Sequence, residues 1–377
     1  MLIVAWIVCL ACAGVAAMVA VNVRFWPRAR HRQAIGDGVV SILIPARNEA
    51  ERIGPCIESA LAQGRVVGEV LVYNDHSEDK TVAVVESYAT RDPRVRVIAP
   101  QPLPEGWCGK NFACFRLAQA ATCPWLMFLD ADTRIAPETA EIAVSEAEQR
   151  GATLLSLWPG LDLVGFSERL LMPMLHFIVF SLYPAPLAFT RRDASLGIAH
   201  GACMLAHRAT YISIGGHEVV HDEIFEDTRL ARAWRERGEL SLCLDGQDCV
   251  RVRMYGSFGE IWRGFLKNFY AAFHGAFYFF LFLLFHVVVV LLPFVMLGIA
   301  PLAGLTVVPW ILAAGLIVFS RMLLAFRFRQ PLWSCLAHPV SESVLVALGV
   351  ASWWRCVSGK GVVWKGRSYR GGESAIP

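Results

Sequence analysis

Leu2 to Val21 is an uninterrupted apolar run of 20 residues. A helix rises about 1.5 Å per residue, so this run can cross the ~30 Å hydrocarbon core of a bilayer. No other feature restricts the fold as strongly, because a segment in lipid must satisfy its own backbone polar groups. A cleaved secretory leader is the competing reading. It is disfavoured because no basic segment precedes the run, whereas Arg24, Arg28, Arg30 and Arg32 follow it. The positive-inside rule then places the start of the chain outside and the following domain in the cytoplasm.

Ala276 to Ala300 and Leu302 to Ser320 are two further candidate spans, parted by Pro301 and followed by Arg321, Arg327 and Arg329. As a hairpin they return that basic loop to the cytoplasm. Pro331 to Trp354 is a fourth stretch, interrupted by His338, Pro339 and Glu342. If it crosses, the basic tail (Arg355, Lys360, Lys365, Arg367, Arg370) ends outside, against the charge rule; a re-entrant or interfacial segment avoids this. Both readings stand. Leu170 to Phe189 is also apolar, but a single crossing there would put Asp132 and Asp227 on opposite sides of the membrane. With Pro173, Pro184 and Pro186 inside it, the stretch reads as an element lying in the interface, with a buried helix of the soluble domain as the alternative.

The remaining composition agrees. Only 18% of residues are charged and mean hydropathy is +0.46, whereas soluble domains carry roughly a quarter charged residues. A net charge of +3 gives no ground for nucleic-acid binding, and the basic residues cluster beside the apolar runs. The 11 cysteines are scattered, with Cys9 and Cys12 in one apolar run and Cys335 in another, which suits buried thiols in a reduced domain.

Between Val39 and about Arg253 short β-branched runs alternate with helical stretches. Strands are expected at Val39–Ile44, Glu69–Tyr73, Val95–Ile98, Trp125–Leu129 and Thr153–Leu157. Helices are expected at Glu49–Ala62, Thr81–Tyr88, Lys110–Ala120 and Pro137–Gln149. This rhythm implies an α/β domain built on a mostly parallel sheet with flanking helices, whose ligands bind beyond the carboxyl ends of the strands.

Three acidic motifs fall at such ends. Ser41-Ile-Leu-Ile-Pro-Ala-Arg-Asn-Glu49 runs from a strand into a turn, where Asn48 can cap a helix and Glu49 suits its positive end. Asn74-Asp75 ends the second strand; Asp75 can accept a hydrogen bond from a nucleobase, and Ser77 can cap the next helix. Asp130-Ala131-Asp132 emerges from a strand too apolar for the surface. Its hard oxygens suit Mg²⁺ or Mn²⁺, and a capping turn is the plainer alternative. Glu226-Asp227 precedes an amphipathic helix, where either acid can cap. A carboxylate beside a like charge also has the raised pKa that a general base needs, which favours Asp227.

Taken in order, PARNE, NDHSxDxT, EGWCGKxxA, FLDADT, GGH and EDxxLA resemble the family 2 inverting glycosyltransferases of GT-A fold, from about Ser41 to Tyr270. Gly106-Trp-Cys-Gly-Lys110, Arg253-Met-Tyr255 and Trp364-Lys-Gly-Arg-Ser-Tyr369 look like the integral-membrane subgroup that glycosylates lipids, such as carotenoid-acid, hopanoid-associated and ceramide glycosyltransferases. The resemblance implies nucleotide contacts at Ala46, Glu49, Asp75, Lys110 and Asp130. It implies metal ligation by Asp132 with Asp130, and catalysis by Asp227 with Glu226 beside it. Arg263, Lys267 and His217 are candidates for the diphosphate or acceptor, although the two cations also suit lipid headgroups and His217 also suits a structural role. Asn74 departs from the usual second-strand acid pair. The QxxRW motif of processive synthases is absent, with Ile261-Trp262-Arg263 in a comparable place.

The expectation is a membrane hexosyltransferase that moves one sugar from a nucleotide donor, a UDP-sugar, to a lipid with inversion and Mg²⁺ or Mn²⁺. Its parts are an N-terminal helix (1–23), a cytoplasmic GT-A domain (24–265, with 170–189 interfacial) and a C-terminal membrane region (266–377). A short-saccharide synthase and a catalytically silent nucleotide-sugar binder are the alternatives.

Overall fold

The computed structural model describes residues 2–273, 275–358, 362–364 and 367–369, with backbone only for Asn268, 362–364 and 367–369. Of the basic tail, Lys360, Lys365 and Arg370 lie outside the described residues. Two compact units result. One comprises Met1–Trp26, Leu163–Pro186 and Tyr255–Pro377; the other comprises Pro27–Asp162 and Leu187–Met254.

The second unit is a layered α/β domain. Its strands are β1 (Val40–Ala46), β2 (Val67–Asn74), β3 (Val95–Ile98), β4 (Trp125–Leu129), β5 (Thr133–Ile135), β6 (Leu154–Trp158), β7 (Gly160–Leu161), β8 (Cys203–His207), β9 (Ser241–Asp245) and β10 (Val250–Val252). Seven form one sheet in the order β3-β2-β1-β4-β8-β6-β9. All neighbours are parallel except at β8, which runs antiparallel to both β4 and β6. A small sheet, β5-β10-β7, stands apart. Helices α2 (Ile53–Leu61), α3 (Thr81–Ala89), α4 (Gly109–Ala120), α5 (Thr139–Arg150), α9 (Arg208–Ile214) and α10 (Glu226–Glu236) complete the unit.

Ile42, Ile44, Val70, Val72, Met127 and Leu129 face one apolar cluster with α2 and α5. Leu43, Leu71, Leu126 and Phe128 face another with α4 and α10. Burial on both faces is why these strands read as continuous apolar runs in the sequence. Arg28 and Arg32, read as topology determinants, also brace this unit. Arg28 pairs with Asp245 at 3.4 Å, and Arg32 pairs with Glu138 and Glu141 at 2.6 Å each. All 11 cysteines are free thiols, ten of them buried.

The first unit is helical. Among the described residues, four of its helices are long and apolar enough to cross a membrane: Leu2–Phe25, Ala276–Leu302, Val308–Phe328 and His338–Val357. They are α1 (Leu2–Phe25); α12 (Ala276–Phe285), continued through a π-helical turn (His286–Leu291) into α13 (Leu292–Leu302); α14 (Val308–Phe328); and α16 (His338–Val357), which follows the short α15 (Trp333–Leu336). An amphipathic helix, α11 (Phe258–Asn268), precedes α12.

The fourth stretch is thus one 20-residue helix, and the residues that interrupt its pattern have places in it. Pro339 sits in the first turn, where no N–H is needed. Glu342 is fully buried and accepts from His286 Nδ1 at 2.7 Å. His338 Nε2 lies 4.0 Å from the other oxygen of Glu342. Arg321 of α14 is also fully buried, with Nη2 donating to Ser334 Oγ at 3.4 Å.

The 170–189 stretch breaks at its prolines into α6 (Phe166–Leu171), α7 (Pro173–Leu182) and α8 (Ala185–Ala188). Within this unit α7 is largely buried. Phe180 stacks on Trp26 at 4.5 Å, and Asn22 Nδ2 donates to the carbonyls of Phe180 and Tyr183 at 2.8 and 2.7 Å.

Candidate active site

At the carboxyl end of β1, Ala46 lies opposite Asn74 of β2. The two turns that follow are laced together. Asn48 N–H donates to Ser77 Oγ at 3.1 Å, and Asn48 Oδ1 accepts from Glu78 N–H at 2.8 Å. Glu49 N–H donates to Thr81 Oγ1 at 2.8 Å, and Ala50 N–H donates to Asp79 Oδ2 at 3.0 Å. Asn48 and Ser77 therefore join two loops and cap neither helix. The physical reason is that α2 and α3 begin later, after Arg52 and Lys80, with no side-chain cap at either start. Asp75 is buried beside Ala46, its N–H donating to the Ala46 carbonyl at 2.8 Å. Ala46, Glu49 and Asp75 thus share one sheet end.

At the next strand, β4 delivers Asp130, whose carbonyl accepts from Thr133 N–H at 2.9 Å in the turn leading to β5. Asp132 follows, 3.9 Å from Arg52 Nη1. Burial, then the charges of Asp130 and Glu49, push its carboxyl up to about 7.

The helix start of α10 joins this site through Lys110 of α4. The Lys110 ammonium lies 2.7 Å from Asp130 Oδ1 and 2.8 Å from Glu226 Oε1. Burial opposes charge on both partners of that second pair, but the ion pairing outweighs it. Lys110 is held well above, and Glu226 below, the ordinary range. Asp227 takes a different set of bonds. Its Oδ2 accepts from Gly201 N–H at 2.8 Å and its Oδ1 from Thr228 N–H at 2.6 Å. Burial, then the neighbouring Glu226 charge, pushes Asp227 up to about 7. Adjacent carboxylates thus have opposite environments: one paired and ionised, the other poised to take a proton near neutrality.

The segment before β8, where His200 flanks the region expected to take the acceptor, stitches these parts together. Ala199 carbonyl accepts from Thr228 Oγ1 at 3.2 Å, and His200 N–H donates to Ser156 Oγ at 2.9 Å. Gly201 holds Asp227, and the Ala202 carbonyl accepts from Asp130 N–H at 3.3 Å. A Cβ on Gly201 would sit 3.1 Å from Lys110 Nζ and 3.5 Å from Asp227 Oδ2, so glycine keeps the centre of the site open.

His217 is fully buried. Its N–H donates to Tyr211 Oη at 3.0 Å, its Nδ1 lies 2.8 Å from the same oxygen, and its ring packs on Phe128. It serves here as a core residue. Gly216 explains the GGH motif: its φ is +52°, and an added Cβ would overlap the Tyr211 ring. Gly216→Ala is expected to destabilise the domain by more than ~2 kcal/mol, read from denaturant midpoints, since it combines a left-handed backbone with core overlap. Arg263 and Lys267 lie on α11 of the helical unit, with Arg263 exposed.

Among the described residues no group of three or more His, Cys, Asp or Glu side chains could hold a metal ion. Asp130 and Asp132 still fit a small divalent cation. Mg²⁺ commonly takes one or two carboxylates and completes its shell with substrate phosphates and water.

Residues 41–215 match the sequence family described as glycosyl transferase family 2; the match stops short of Glu226 and Asp227. Over 239 residues the chain is 29% identical to 4,4'-diaponeurosporenoate glycosyltransferases of Staphylococcus aureus strains MRSA252 and USA300, covering 61% of this chain. The chain spans about 60% of the length of those curated relatives. In structure it resembles a mannosyltransferase from Pyrobaculum calidifontis solved with GDP-Man and Mn²⁺. The TM-score is 0.57 and the identity 17%, covering 93% of this chain and 97% of that one. Sheet order, motif placement and family match agree: this chain carries a glycosyl transferase family 2 domain of GT-A fold and resembles the carotenoid-acid glycosyltransferases.

Proposed function

We propose that this protein transfers one sugar from a nucleotide-sugar donor, a UDP-sugar, to the hydroxyl or carboxyl of a membrane lipid, with inversion. The observation that carries the reading is the Lys110 bridge, which puts Asp130 and Glu226 in one site while leaving Asp227 outside the ion pair. The likeness to enzymes named for a carotenoid acid supports a lipid acceptor, as do four helices long and apolar enough to cross a membrane. Sidedness follows the positive-inside argument and places the α/β unit in the cytoplasm.

In this reading Ala46, Glu49 and Asp75 hold the nucleoside. Asp227 takes the proton from the acceptor O–H. The freed oxygen pair forms the new bond to the anomeric carbon as the bond to the diphosphate oxygen breaks on the opposite face. The leaving electron pair passes to the nucleoside diphosphate. Asp130 and Asp132 would hold Mg²⁺ or Mn²⁺, which supplies Lewis-acid stabilisation of the departing diphosphate when bound. Lys110 balances Asp130 and Glu226, keeping Glu226 ionised so that the proton goes to Asp227.

The test is a panel of UDP-glucose, UDP-N-acetylglucosamine and GDP-mannose with the detergent-purified protein and a total lipid extract. The expected result is a new glycolipid seen by mass spectrometry, with yield falling at least ~10-fold on chelation and returning with Mn²⁺ or Mg²⁺. Donor binding without product or hydrolysis, under any metal condition, would replace this reading with a silent nucleotide-sugar binder.

A further inference from the structure

Four consecutive residues, Ala199 to Ala202, bond to three different elements of the site, yet only one of them has a side chain able to act on a substrate. That residue is His200. Its neighbours Ala199, Gly201 and Ala202 are buried, whereas His200 is half-buried. The backbone is clamped on both sides, with His200 N–H donating to Ser156 Oγ at 2.9 Å and its carbonyl accepting from the same hydroxyl at 3.1 Å. The ring is fixed as well. It stands edge-on to Trp158 with centroids 5.1 Å apart, and Nδ1 accepts the Ala202 N–H at 3.2 Å.

An acceptor role for Nδ1 dictates the tautomer: in the neutral ring the proton sits on Nε2. Burial, with the nearby Lys110 charge, lowers this histidine to about 4, so the ring stays neutral around pH 7. Nε2–H is therefore a rigid, neutral donor with no protein partner among the described residues, one residue from the N–H that holds Asp227. The protein does not use it for packing, and its orientation carries no rotational freedom to lose on binding.

We propose that His200 is a specificity-determining residue whose Nε2–H donates a hydrogen bond to an oxygen of the acceptor beside the atom that loses its proton to Asp227. The assignment rests on the transferase reading above and deepens it. A carboxyl acceptor would offer its second oxygen; a hydroxyl acceptor would offer a neighbouring hydroxyl. Because His200 neither gains nor loses a proton in the step, it sets acceptor affinity and orientation and leaves the chemistry to Asp227.

The experiment compares wild type, His200→Leu and His200→Gln, with UDP-glucose or GDP-mannose as donor and oleic acid or 1-monoolein in micelles as acceptor. Gln places an amide N–H near the position of Nε2–H, whereas Leu removes the donor. His200→Leu is expected to raise acceptor KM about 10-fold, the loss typical of one hydrogen bond, with donor KM within about twofold. His200→Gln is expected to recover most of that loss, and slow donor hydrolysis by water is expected to be equal in all three proteins. Unchanged acceptor KM in His200→Leu, or a rise confined to donor KM, overturns the assignment while leaving the transferase reading intact. Wild-type protein that neither transfers nor hydrolyses overturns both.

Discussion

Asp227→Asn is expected to lower sugar transfer roughly 10³-fold while leaving donor affinity within a few-fold of wild type. Removal of a positioned general base typically costs 10²- to 10⁴-fold. The amide keeps the size of the carboxylate and can still accept one of the two backbone N–H bonds from Gly201 and Thr228. The pH dependence of the wild type gives an independent reading. A base must be deprotonated, and Asp227 is pushed up to about 7 by burial and Glu226. Hence kcat/KM should rise about tenfold per pH unit below 7 and flatten above it. A wild-type profile that is flat from pH 5 to 8, or an asparagine variant retaining more than a tenth of the activity, would remove Asp227 from this role.

Lys110→Met is expected to have the second largest effect, on stability and on that same profile. Breaking a buried ion pair costs ~3–5 kcal/mol, and the partial exposure of this ammonium sets the expected loss somewhat below that range. Two carboxylates, Asp130 and Glu226, lose their counter-ion together. The sign with pH follows from Glu226. Its pKa in the folded protein is below the ordinary value, so its contribution is present above ~4.3 and is lost as pH falls through the folded value. The stability gap between variant and wild type should therefore narrow in acid. Lys110 also lowers Asp227, so the acid limb of any residual activity should move to higher pH in the variant. Denaturant unfolding at pH 7.5 and pH 4, with the rate profile, checks both. Equal stability at pH 7.5 would mean the bridge is unimportant.

The sequence showed the first five large-sheet strands, β1, β2, β3, β4 and β6, nearly to the residue, for a physical reason. Strands buried on both faces are continuous apolar runs bounded by turn residues, so Trp125–Leu129 stands out. The strand at Cys203–His207 did not, because it runs antiparallel in the middle of the sheet after a long excursion that includes the apolar 170–189 stretch. Strands of three residues, such as Thr133–Ile135 and Val250–Val252, have no period to detect.

The acidic motifs were legible by position. Their relationship was not: only the topology brings Lys110 between Asp130 and Glu226, and only burial separates Glu226 from Asp227 in proton affinity. Asn48 and Ser77 had the composition of caps but were taken up by loop-to-loop bonding, because chemistry that suits a helix start also suits a turn.

The buried contact between His286 and Glu342, with Arg321 and His338 near it, bears on how the nascent chain enters a bilayer. Taken singly, α14 brings a guanidinium and α16 a carboxylate into hydrocarbon, at a cost of about 2.5–3.5 kcal/mol for one such charge at a helix centre. Assembled, these groups are withdrawn from lipid and partly paired, and the π-helical turn puts His286 where Glu342 can reach it. The late helices therefore gain their solubility in lipid from one another. A ribosome stalled before Ser334 and Glu342 are made would leave His286 without Glu342 and Arg321 without Ser334, so the C-terminal helices should leave the translocon as a group and not one at a time.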